Sequence, residues 1–167
     1  SLGYHEAYIN GEPVSESMLT PAVSEFSKRS LIVTYDVTDL LKKGNNELSI
    51  WLGIGWYHKR AQGVVDGGPY VRAQLESVKP NGDHNVITKS DEKWEAANSG
   101  RYSIGNLWVN GEYIDKSELV TDLCSNAAEN LTWQQVVVGD IPQHKSSQQM
   151  CELNTFYQTF KPFSIFL

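Results

Sequence analysis

An all-β sandwich with few short helices is the fold class this sequence predicts, and three observations carry the reading. Apolar and polar residues alternate with a period of two. Val71, Ala73 and Leu75 interleave with Arg72, Gln74 and Glu76, and Leu48, Ile50 and Leu52 interleave with Glu47, Ser49 and Trp51. That is the spacing of strands with one dry face and one wet face. Turn residues punctuate these runs, with Asn10-Gly11 near the start and Pro80-Asn81-Gly82-Asp83 in the middle; both have the chemistry of hairpin turns. Helical periodicity is scarce, and many short strands separated by turns indicate a sandwich or barrel. We read a jelly-roll-like sandwich.

The elements follow in order. Gly3 to Ile9 reads as a strand running into the Asn10-Gly11 turn. Leu31 to Val37 is rich in β-branched and aromatic residues and is expected to be a buried strand. Thr38 to Lys43 suits about one helical turn, with Asp36 or Thr38 as its cap and Gly44 as its stop. Leu48 to Leu52 is the next strand. Segments 70–78 and 84–88 pair across Pro80 to Asp83. Val136 to Val138 and Thr155 to Lys161 read as further strands, and residues 116–130 are expected to hold a short helix. The glycine-rich stretches 53–68 and 100–111 read as long loops, where sandwiches commonly carry binding residues.

The totals bound the function. A chain of 167 residues is one domain by length and can bury a core. The net charge of −6, with no Lys/Arg cluster to offset it, opposes nucleic-acid and anionic-membrane binding. No apolar run is long enough to span a bilayer. Cys124 and Cys151 lack metal-ligand spacing, so zinc is not expected; two free thiols and a single disulfide both stay open. The oxygen-rich stretch Asp36, Asp39, Asn45, Asn46 and Glu47 does not have the spacing of a calcium loop. No metal or other cofactor is therefore expected.

Candidate chemistry is thin. Glycoside hydrolysis needs two carboxyl groups facing each other across a sugar. Glu112 and Asp115 lie close in sequence, but no second constellation supports them, and turn or surface roles suit them better. His5, His58, His84 and His144 are scattered without a triad or a metal-binding spacing. No catalytic residue is assigned. Trp56, Tyr57 and Trp108 flank the glycine-rich stretches, and flat rings there suit stacking on the apolar face of a pyranose. These three are the sugar-binding candidates; the competing role for each is to cap the core or to pack against another domain. Trp94 and Trp133 read as core.

Several segments together resemble one known family. They are Ala7-Tyr8-Ile9-Asn10-Gly11, Leu19-Thr20-Pro21, Tyr35-Asp36-Val37-Thr38, Leu41-Lys42-Lys43-Gly44-Asn45 and Gly53-Ile54-Gly55-Trp56-Tyr57. They are joined by Pro69 to Leu75, Ser90 to Trp94, Gly111 to Asp115, Gln149 to Cys151 and Lys161 to Ile165. In this order they look like the N-terminal β-sandwich domain of bacterial α-L-rhamnosidases, which is galactose-binding-domain-like. The Asn-Gly and Asp-Val-Thr…Gly-Asn elements also occur in sugar-binding sandwich domains of β-galactosidase-like enzymes, and Gly-x-Gly-Trp-Tyr favours the rhamnosidase resemblance. Asp115-Lys116-Ser117 departs from the family's Asp-Ala-Arg, which removes the counterpart of that Arg.

The resemblance implies residues 1–167 as a single accessory module of a larger glycoside hydrolase, lacking upstream strands. Catalysis would lie in a helical barrel of the same parent chain, so the module alone would be inactive. Its partners would be that barrel and a rhamnose-containing oligosaccharide or polysaccharide. Family habit places such proteins in the periplasm or outside a bacterium. The alternatives are an autonomous carbohydrate-binding module and the sandwich domain of a β-galactosidase-like enzyme.

Overall fold

A computed structural model describes residues 1–57, 68–106, 109–117, 119–120, 131–139 and 145–161. They are nearly all β, as the sequence predicts, and the β-sandwich class holds. Strand β1 (Tyr4–Ile9) lies between β2 (Glu12–Pro13) and β4 (Leu48–Gly53), antiparallel to both. Strand β3 (Arg29–Ile32) pairs in parallel with β11 (Lys145–Gln148). Strands β5 (Gln74–Val78) and β6 (His84–Lys89) form a hairpin, β7 (Glu95–Ala96) pairs with β10 (Gln134–Gln135), and β8 (Arg101–Asn106) pairs with β9 (Val109–Ile114).

The Asn10-Gly11 turn shows how one dipeptide organises a sheet. Both residues have positive φ, +50° and +92°, the geometry that joins two antiparallel strands with matched twist. Ile9 then faces Glu12 across the turn. The Asn10 side chain continues outward: its Nδ2 donates to Leu40 O at 2.9 Å and Asn46 Oδ1 at 2.8 Å, and its Oδ1 accepts from Glu47 N–H at 3.1 Å. Asn46 in turn accepts from Lys42 N–H at 2.8 Å and donates to the carbonyls of Lys42 and Gly44. Two asparagines thus tie the first hairpin to the loop that feeds β4.

Several expectations are corrected. The helical turn is a single 3-10 turn over Thr38–Leu40. Asp36 does accept the Thr38 N–H (3.0 Å) and hydroxyl (2.7 Å), but Asn46 takes the Lys42 N–H and ends the turn early. The strand expected from Leu31 to Val37 starts at Arg29 and stops at Ile32, because its partner β11 extends only that far. Lys145–Gln148 has no apolar alternation, so this parallel pairing has no sequence signal. Of the expected loop over 100–111, residues 101–106 and 109–111 belong to the paired strands β8 and β9, and residues 107 and 108 lie outside the described residues. Val136 to Val138 and Thr155 to Lys161 are not strands. Gln134–Gln135 pair instead, and the Val136 N–H then goes to Trp94 O. Trp94 is largely buried while Trp133 is half open to solvent, so Trp133 is not a core residue. Of the helix expected over 116–130, residues 118 and 121–130 lie outside the described residues, and those described there are not helical.

The core among the described residues is small and aromatic. Leu2, Phe26 and Tyr57 are buried together, with Tyr70 packed against them. Phe26 meets Tyr57 edge-on at 5.3 Å, and Tyr57 meets Tyr70 edge-on at 6.0 Å, the arrangement ring quadrupoles favour. Reciprocal backbone hydrogen bonds between Leu2 and Tyr70 (2.8 and 3.0 Å) close the cluster. After β11, residues 149–161 form a strap. It is fixed by Gln149 N–H on Ile32 O (2.9 Å), by Ala22 N–H on Gln149 Oε1 (2.8 Å) and by Met18 N–H on Asn154 O (2.8 Å).

Candidate functional site

Two places gather chemistry-bearing side chains. The first is the end of β4. Tyr57 N–H bonds to Ile54 O at 2.9 Å, closing a turn that sets Trp56 and Tyr57 on opposite sides. Gly55 makes the turn possible: its φ is +49°, and a Cβ there would stand 2.6 Å from the Tyr4 ring. The Trp56 indole lies beside the Tyr4 phenol and is 41% exposed. Tyr57 is 3% exposed, its ring held between Phe26 and Tyr70. Of the two roles open to it from sequence, it fills the core one. Burial raises its phenol pKa. The candidate Trp108 and the basic residues His58, Lys59 and Arg60 lie outside the described residues, as does Cys124; Cys151 is an exposed free thiol.

The second place is a cleft of ≈190 Å³ between β1, the 13–18 segment, Tyr35 and the strap. Its floor is a directed chain of hydrogen bonds. Ser1 Oγ donates to Gly3 O at 2.8 Å, so it accepts from His5 Nδ1–H, also at 2.8 Å. His5 Nε2 is left to accept from the Tyr35 hydroxyl at 3.0 Å. Beside the Tyr35 hydroxyl, Thr20 Oγ1 donates to Ser17 Oγ at 3.2 Å. Burial, aided by the positive amino terminus nearby, lowers the His5 pKa to about 4. Burial also raises the Tyr35 pKa. The imidazole is thus neutral at neutral pH. The charged side chains lining the cleft are Glu6 and Glu16, both exposed, and Phe156 adds an exposed ring.

This arrangement is poorly suited to acid–base or nucleophilic chemistry. A histidine titrating near 4 is a poor base near neutral pH, and Ser1 Oγ already points its proton at a carbonyl. Carboxylates, hydroxyls and a ring beside a cavity of this size suit a small polyhydroxylated ligand. The sequence does not announce the cleft, because its walls come from segments around residues 5, 15, 35 and 156 with no shared motif. The weak acid pair separates into structural roles. Glu112 accepts a hydrogen bond from Arg101 at 3.2 Å. Asp115 accepts from Ser117 N–H (2.9 Å) and hydroxyl (2.6 Å), which hold its pKa below the usual range. Among the described residues no three His, Cys, Asp or Glu side chains gather to hold a metal ion.

The likeness to known proteins covers both places. An α-L-rhamnosidase of Formosa agariphila is 32% identical over 141 residues, covering 79% of this chain and 14% of the relative. The solved α-L-rhamnosidase of Dictyoglumus thermophilum superposes with a TM-score of 0.67 at 25% identity, over 88% of this chain and 16% of that one. A Streptomyces avermitilis α-L-rhamnosidase, solved in complex with L-rhamnose, superposes with a TM-score of 0.64 at 28% identity, over 86% of this chain and 14% of that one. The chain thus spans about a seventh of the relatives' length. The family model of the α-L-rhamnosidase N-terminal domain matches residues 1–157, and the chain belongs to that family.

Proposed function

We propose that the chain is a single non-catalytic module, jelly-roll-like in topology, of a bacterial α-L-rhamnosidase exported from the cytoplasm. It shapes or orients a catalytic helical barrel of the same polypeptide and recognises a rhamnose-containing glycan. The observation that carries the reading is the family match over residues 1–157, in relatives where the corresponding stretch is a small part of a longer enzyme. Glycan recognition is supported by an indole that is half open to solvent, and by a separate polar cleft with Glu6, Glu16 and Phe156 on its walls. Rhamnose carries a methyl group in place of a hydroxymethyl, which enlarges the apolar face a ring can cover. Trp56 is the platform we assign among the described residues; Trp108 stays a candidate, and Tyr57 serves the core beneath.

Affinity electrophoresis through a rhamnose-rich polysaccharide tests the recognition role. Retention that Trp56→Ala weakens and Tyr57→Phe leaves intact is the expected result. Equal retention of wild type and Trp56→Ala removes Trp56 from the site. Hydrolysis of an aryl rhamnoside by this chain alone would overturn the non-catalytic role.

A further inference from the structure

The strap over residues 149–161 is anchored in its first half and has uncovered side chains. Met150 is 91% exposed, Tyr157 98%, Phe160 79% and Phe156 74%. Yet the backbone is pinned at Gln149 and again at Asn154. The segments supplying the pins, around Met18 and Ala22, present exposed Leu19 and Val23. Between Gln149 and Lys161 the only charged residues are Glu152 and Lys161. Large apolar side chains left uncovered along one segment, three of them just past the Asn154 anchor, form an apolar surface of the kind that marks an interaction site.

We propose that this strap, with Leu19 and Val23 beside it, is the seam on which the rest of the parent polypeptide docks. The inference rests on reading the chain as one module of a longer rhamnosidase. Two observations select that occupant. The relatives carry this module as 13–15% of a longer chain, so a covalently attached neighbour is present at high effective concentration and needs little intrinsic affinity to cover the strap. A second copy is the weaker candidate, because two chains of net charge −6 repel. The anchors at Gln149 and Asn154 fix where the aromatic part of the strap begins, beside Leu19 and Val23.

Hydroxyl-radical footprinting of the folded parent enzyme tests this. Met150, Tyr157 and Phe160 are expected to be labelled several-fold more slowly than in the same enzyme unfolded in urea. In the parent, Tyr157→Asp with Phe160→Asp is expected to restore labelling at Met150 and to lower the thermal midpoint by about 2–4 °C or more. Labelling at the unfolded rate in the wild type overturns the seam, as does a double variant with unchanged midpoint. Protection that vanishes on dilution would put a second copy on the strap and overturn it equally. Rhamnoside hydrolysis by the same sample is read separately: its absence refutes the proposed function and leaves the footprint to judge the seam.

Discussion

At the scale of single residues, neighbours in sequence take opposite parts. Trp56 and Tyr57 are adjacent, yet one is half open and the other closes the core. Tyr57→Ala is expected to cost about 3–5 kcal/mol, the range for deleting a buried aromatic side chain, whereas Trp56→Ala should cost under about 1.5 kcal/mol. Urea unfolding of the two variants checks the contrast, and equal losses would contradict it. His5 makes a second prediction. Its folded pKa of about 4 lies below the ordinary 6.5, so the unfolded chain binds the proton more tightly. Its contribution to stability is complete above pH 6.5, falls as pH drops from 6.5 to 4, and is gone below that. Solvent around the partly open imidazole holds the amplitude to about 1–2 kcal/mol. Urea midpoints measured between pH 4 and 8 should lose this step in His5→Gln; an unchanged pH profile would assign the step to other groups. The aromatic pair was legible from sequence as a pair, because both flank glycines. Which ring turns inward depends on Phe26 and Tyr70, which the sequence does not place beside them.

At the scale of elements, what the sequence shows are the local signals. The Asn10-Gly11 hairpin and the β5–β6 hairpin across Pro80 to Asp83 both form where the turn residues sit. Alternation at Val71, Ala73 and Leu75 against Arg72 and Gln74 matches the half-buried and exposed positions. The pairing of β3 with β11 is invisible, because it joins Arg29–Ile32 to Lys145–Gln148 across more than half the chain, with serines and a lysine supplying the strand. A run such as Val136 to Val138 has strand propensity, but among the described residues its pairing ends at the Val136 N–H on Trp94 O, and Val137 and Val138 are left exposed. The Asn10 to Asn46 connection accounts for the company kept by Asn-Gly and the later Gly-Asn-Asn in this chain. Asn10→Ala removes hydrogen bonds to Leu40, Asn46 and Glu47 together, and a loss of about 1–3 kcal/mol is expected by chemical denaturation. A neutral result would mean water replaces the side chain and the clasp does not hold the sheet.

At the scale of the whole molecule, the buried core among the described residues is modest and exposed apolar side chains are many, among them Val78, Ile87, Trp133, Tyr157 and Phe160. A module built to pack against larger neighbours accounts for that balance, and the proposed function supplies the neighbour. Membership of the rhamnosidase family was legible because its motifs occur in order along the chain, a pattern no single segment carries. The cleft was not legible, because four distant segments build it. The distance from fold to function is where proposal begins, since sandwiches serve many roles. Calorimetric titration of the folded chain with L-rhamnose and rhamnose-rich oligosaccharides tests the central claim most directly. Saturable heat that Trp56→Ala diminishes is the expected result. No heat at millimolar sugar, from a chain shown by circular dichroism to be folded, would contradict recognition and leave the orienting role alone.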